Sequence, residues 1–181
     1  MAFLTGMINQ AKFNNSKSAL MAIGQPESRH NAWALSEVLK IGLLAGPTDT
    51  VYPYTNQILD GMNNFIAPGS CPSENPTWPS PRQSLPMMGL NTNTTTARPG
   101  SDIEFIYPKG KPDFGDKDYY AVFYHGLNNI SVPYNPKQNQ VKIPHEFGTD
   151  GGLIMANIAD EPHAPTAESV VAGPLFLLEQ P

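Results

Sequence analysis

The sequence predicts an α+β protein, helical towards its amino terminus and β-rich over its carboxy-terminal half. Three observations lead to that class. Between residues 17 and 41, apolar residues recur at three- and four-residue steps, the spacing that gathers side chains on one helix face. Beyond residue 100, short runs rich in β-branched and aromatic residues alternate with Gly and Pro, as strands alternate with turns. Between these regions Pro68, Pro72, Pro76, Pro79, Pro81, Pro86 and Pro99 keep the chain out of helices and central strands. The organisation expected is therefore a helical region over 1–66, a connector over 67–100 that packs on or links its neighbours, and a sandwich-like β unit over 101–181.

Residues 3–13 and 17–41 read as two helices. In the second, Leu20, Ile23, Glu27, His30, Ala34, Val38 and Ile41 share one face, expected to point inward. Ser16 or Ser18 is placed to cap its start, and Gly42 with Gly46-Pro47 to end it. Pro26, beside Gly24, removes a backbone donor and predicts a kink or break just before Glu27. Residues 55–66 suit a short amphipathic helix. Strands are expected over 103–107, 119–127, 130–133, 140–143, 152–156 and 170–178, needing a second sheet or a helical layer to bury their apolar faces.

Composition narrows the function. Of 181 residues, 40% are hydrophobic, enough for a real core, and the net charge of −5 offers no basic surface to a phosphate backbone. No nucleic-acid partner is expected. No apolar run reaches the roughly 20 residues that cross a bilayer as a helix, and the segment from Met1 to Ile8 lacks the basic start and long apolar stretch of a signal peptide. The single cysteine, Cys71, reads as a buried or capped thiol, with cross-linking to a partner the alternative. Asn14, Asn93 and Asn129 each open an Asn-x-Ser/Thr acceptor pattern. Asn93 and Asn129 are the glycosylation candidates, Asn93 foremost because it lies in an evident loop.

Glu27 and His30 come first among residues that could do chemistry. Their i,i+3 spacing puts a carboxylate and an imidazole on one side of a helix, as in the carboxylate-bridged metal sites of four-helix bundles. Such a pair suits iron, manganese or zinc; the plain alternative is that the two side chains simply pair. No acid precedes Glu27, so a di-metal site needs ligands from other helices or another subunit. His125 ends an aromatic run and reads as a turn or surface residue. His145-Glu146 and the Asp160–His163 stretch could converge, although a solvated reading is preferred. Asp113, Asp116 and Asp118 lack the oxygen spacing of a calcium loop. Trp33, Tyr52, Tyr54, Phe65 and Trp78 read as a packing seam; exposed together they would make a glycan or protein surface.

The stretch Glu27-Ser28-Arg29-His30-Asn31-Ala32-Trp33 resembles the last core helix of fungal ferritin-like proteins of the Rds1 stress-response family and, more distantly, plant desiccation-related proteins. Pro53 to Ile58, Phe65-Ile66 and Ser70 to Pro76 are similar to the loop and short helix that follow that core, and Val170 to Leu175 resembles the family's closing strand. The resemblance implies a partial ferritin-like bundle formed by the last helices, followed by a small β-rich extension, in a secreted or cell-surface protein. By that pattern Glu27 and His30 stand at a metal-binding pair, and the chain starts near the third core helix.

The function expected is non-enzymatic and associated with stress or development, with no complete di-metal site in this chain and no resident cofactor. One alternative is an iron- or manganese-dependent oxidoreductase completed by absent helices or a second subunit. The other is a glycan- or protein-binding module. An apolar helix face left open predicts a homo-oligomer, or an additional amino-terminal segment that covers it.

Overall fold

The computed structural model describes residues 2–38, 40, 50–62, 67, 69, 70, 72–74, 83–91, 97–148 and 152–179. The helices are α1 (Ala2–Gln10), α2 (Asn14–Trp33) and α3 (Thr55–Met62). The strands are β1 (Gly89–Leu90), β2 (Asp102–Ile106), β3 (Tyr119–His125), β4 (Asn128–Tyr134), β5 (Gln140–Lys142), β6 (Gly152–Ala159) and β7 (Val170–Glu179). They form a three-stranded antiparallel sheet, β1-β2-β5, and a four-stranded one, β4-β3-β6-β7. The α+β class and all six expected strands are present.

Alternation along β3 explains the layering. Tyr119, Ala121 and Phe123 face the smaller sheet, packing with Ile103, Phe105, Val141, Ile143 and Ala156. Val122 and Tyr124 face the other way, with Tyr52, Ile58 and Ala2 from the helical segment. Successive strand residues point to opposite faces, so a strand covered on both sides reads as the unbroken apolar run Tyr-Tyr-Ala-Val-Phe-Tyr. The result is three layers: the small sheet, the large sheet, and α1 with α3. The described parts of 1–66 and 101–181 thus share a core. The connector is not wholly irregular either, since Gly89 and Leu90 pair with Ile106 and Phe105.

Residues 50–54 strap the helices to the sheet. Val51 N donates to Gly126 O at 2.9 Å; the Thr50 hydroxyl donates to Leu153 O and accepts from Gly126 N at 3.2 Å. Gly6 lets α1 lie against this strap, for a Cβ there would stand 2.4 Å from Tyr52 O.

Helix α2 departs from expectation in three ways. It begins at Asn14, after Phe13, with no side-chain cap among the described residues, so neither Ser16 nor Ser18 caps it. It runs through Pro26 without ending there, continuing as a π-helical turn over Ala34–Val38. Proline costs one hydrogen bond, to the Ala22 carbonyl, and a helix of this length survives that loss. Lys40, at φ 57°, then takes the left-handed conformation that often closes a helix. Finally, most of the stripe expected to point inward points out, with only Leu20 and Ala34 half-buried. Ile23 is 51% and Val38 62% exposed, and Glu27 and His30 are exposed too. Periodicity identifies a face, but burial needs something packed against it, and α1, which packs on α2, does not cover Ile23 or Val38. Ile41, Gly42 and Gly46-Pro47 lie outside the described residues.

Candidate functional site

Glu27 and His30 sit one turn apart on α2, with Glu27 Oε2 3.6 Å from His30 Nδ1 and the two side chains 51% and 74% exposed. Solvent screening makes such a pair worth little in stability. Both heads remain accessible to a third group. The described residues contain no cluster of three or more His, Cys, Asp or Glu side chains that could hold a metal ion.

A denser constellation lies on the β unit, where no sequence motif links its members. Asn129, near the start of β4, reaches the turn between β6 and β7: its Nδ2 donates to His163 O at 3.1 Å, and its Oδ1 lies 3.2 Å from His163 Nδ1. Ser131 Oγ accepts from His163 N at 2.5 Å. His163 and the next residue, Ala164, both have positive φ, 64° and 45°. Non-glycine residues enter the left-handed region only where surrounding bonds hold them there. The Tyr54 hydroxyl, donating to Ala164 O, grips the same turn from the strap. Ser, His and Asn are residue types of a nucleophile, base and orienter, but Ser131 here accepts from the backbone N–H of His163. The arrangement is a clamp.

Behind the strap lies a buried polar chain. Asn157 Nδ2 donates to the Tyr52 hydroxyl at 2.9 Å, which donates in turn to Gln57 Oε1. Gln57 Nε2 reaches Gln83 Oε1 at 2.6 Å and Ala167 O at 3.1 Å. Burial raises the Tyr52 and Tyr124 hydroxyl pKa values, because the phenolate would lose its water.

The remaining candidates divide. His125 is not at the surface: it is 2% exposed, its Nδ1 lies 3.1 Å from Leu153 O and its ring packs on Phe147. His145 pairs with Glu146 at 3.4 Å, while His163 is held by Asn129. Asp113, Asp116 and Asp118 are exposed. Tyr52 is buried and Tyr54 half-buried in the seam, whereas Trp33 is 63% exposed on α2, so these aromatics do not form one patch. Asn14 is exposed at the start of α2. Cys71, Phe65, Trp78 and Asn93 lie outside the described residues. Among the described residues, no helix is long and apolar enough to cross a membrane.

No protein-family model matches the chain, and a search of curated proteins returns no match.

Proposed function

We propose that this chain acts without catalysis, as an extracellular or cell-surface ferritin-like protein associated with stress or development, and that it works by association through α2. The ferritin-like and extracellular parts of this reading rest on the resemblance around Glu27–Trp33. The observation that carries the associative part is the exposure of Ile23, Trp33 and Val38 on a helix that packs against α1 yet leaves these side chains uncovered. Apolar side chains grouped on one element mark interaction surfaces.

The occupant proposed is a second copy of the chain. From residue 12 to 26 the only charges on α2 and its approach are Lys12 and Lys17, giving +2; from 27 to 40, Glu27 and Glu37 balance Arg29 and Lys40 with His neutral. Two α2 helices packed antiparallel set the basic start of each beside Glu27 of the other, where parallel packing would set the two basic starts together, and also oppose their dipoles favourably. Light scattering on a sizing column tests it. A dimer that Ile23→Glu with Trp33→Glu converts to a folded monomer is expected. A wild-type chain that stays monomeric at high micromolar concentration refutes it.

The pre-placed Glu27–His30 pair favours one second reading, a metal-dependent oxidoreductase in which a partner subunit supplies further ligands. Elemental analysis separates the two. Stoichiometric iron or manganese, lost in His30→Ala, would replace the first reading with the second.

A further inference from the structure

The pattern Asn129-Ile130-Ser131 reads as a glycan acceptor, but the fold employs both of its polar side chains. Asn129 meets a single residue with both ends of its amide: Nδ2 donates to His163 O at 3.1 Å, and Oδ1 stands 3.2 Å from His163 Nδ1. A carbonyl oxygen can only accept, so the amide orientation is set by chemistry. Oδ1 then faces Nδ1, which carries the imidazole proton. Ser131 Oγ accepts from His163 N at 2.5 Å. Together these bonds hold His163 and Ala164 at φ 64° and 45°, and so present Ala164 O to the Tyr54 hydroxyl.

We infer that the sequon is a latch, and that glycosylation of Asn129 and closure of the turn at His163 exclude one another. An amide that grips one residue with both its oxygen and its nitrogen donates the N–H lying on the oxygen's side. In a glycosylated asparagine the sugar carbon takes that position, because a secondary amide keeps its carbon substituents trans. The remaining N–H points away from His163. A glycan here opens the latch, and a closed latch leaves no N–H for the glycan to replace. The geometry carries this whether or not the chain is secreted.

Amide hydrogen exchange at His163 tests it in the full chain with Asn14→Gln and Asn93→Gln. The unmodified form is compared with one bearing a single N-acetylglucosamine on Asn129, made by enzymatic glycosylation of the denatured chain, trimming and refolding. The sugar is expected to speed exchange at His163 by about tenfold or more, because opening the turn takes its N–H off Ser131 Oγ, while Val122 and Phe123 in the centre of β3 stay protected. Unchanged exchange at His163 in the glycosylated chain overturns the inference. If that form fails to refold, Asn129→Ala removes the same grip without added bulk, and unchanged exchange there overturns the latch.

Discussion

The side-chain amide of Asn157 donates to the Tyr52 hydroxyl at 2.9 Å, joining β6, an inner strand of the four-stranded sheet, to the strap that carries the helices. Both residues are fully buried. Asn157 Oδ1 has no hydrogen-bond partner among the described residues, but the Nδ2 bond continues through Gln57 to the Ala167 carbonyl, so one chain of bonds fixes the strap, α3 and the β6–β7 loop together.

Tyr52→Phe keeps the ring and its edge-to-face contact with Tyr124 at 4.9 Å but strips the hydroxyl from both neighbours. A loss of about 1–3 kcal/mol is expected, the desolvation cost of buried groups left unpaired. Urea unfolding measures it, and a variant as stable as the parent would contradict the network's role.

Alkaline pH should destabilise the fold. Burial raises the pKa of Tyr52, Tyr107 and Tyr124 above the ordinary value near 10, so the native state holds these protons where the unfolded chain releases them. With fewer protons bound by the unfolded state, stability falls as pH rises. The contribution is intact below pH 10 and declines from there upward. Chemical denaturation as a function of pH, with phenolate absorbance recorded alongside, should show these hydroxyls ionising only as the protein unfolds.

Gly6→Ala should loosen α1 from the strap. The added methyl would stand 2.4 Å from the Tyr52 carbonyl oxygen, a backbone atom that cannot swing aside. The expected cost is about 1–3 kcal/mol, typical of overpacking, despite alanine's better helix propensity. A thermal melt that rises instead would show that α1 does not dock as described.

Phe123→Ala and Leu127→Asp test the layering. Phe123 is fully buried between the sheets and Leu127 is 78% exposed at the β3–β4 turn. The first should cost about 3–5 kcal/mol and the second stay within about 0.5 kcal/mol, both read from denaturant midpoints.

The β half was legible because local composition announces strands: the run from Tyr119 and the Val170 run became β3 and β7 with nearly the expected bounds. Helix boundaries were less so. Pro26 read as a kink or break and Ser16 or Ser18 as a cap, but α2 starts at Asn14 and continues unbroken past the proline, because one missing bond does not outweigh the turns on either side. Gly89 and Leu90 escaped notice within a connector since two residues carry no period. Of the site residues, the Glu27–His30 spacing was visible, while the Asn129–His163 clamp was not, since its partners stand 34 positions apart in a loop without a motif.

By itself, then, the sequence determined the order of helices and strands, the pairing distance of Glu27 and His30, and the apolar character of each face. Those properties depend on neighbours within a turn or a few residues of strand, and the chain carries them wherever it folds. Only the tertiary structure decided which faces are covered. It buried both sides of β3, left Ile23, Glu27, His30 and Val38 of the α2 stripe in water, took His125 inside and set Asn129 against His163. Burial and hydrogen-bond partnership are properties of what packs against a residue, and no local pattern specifies that.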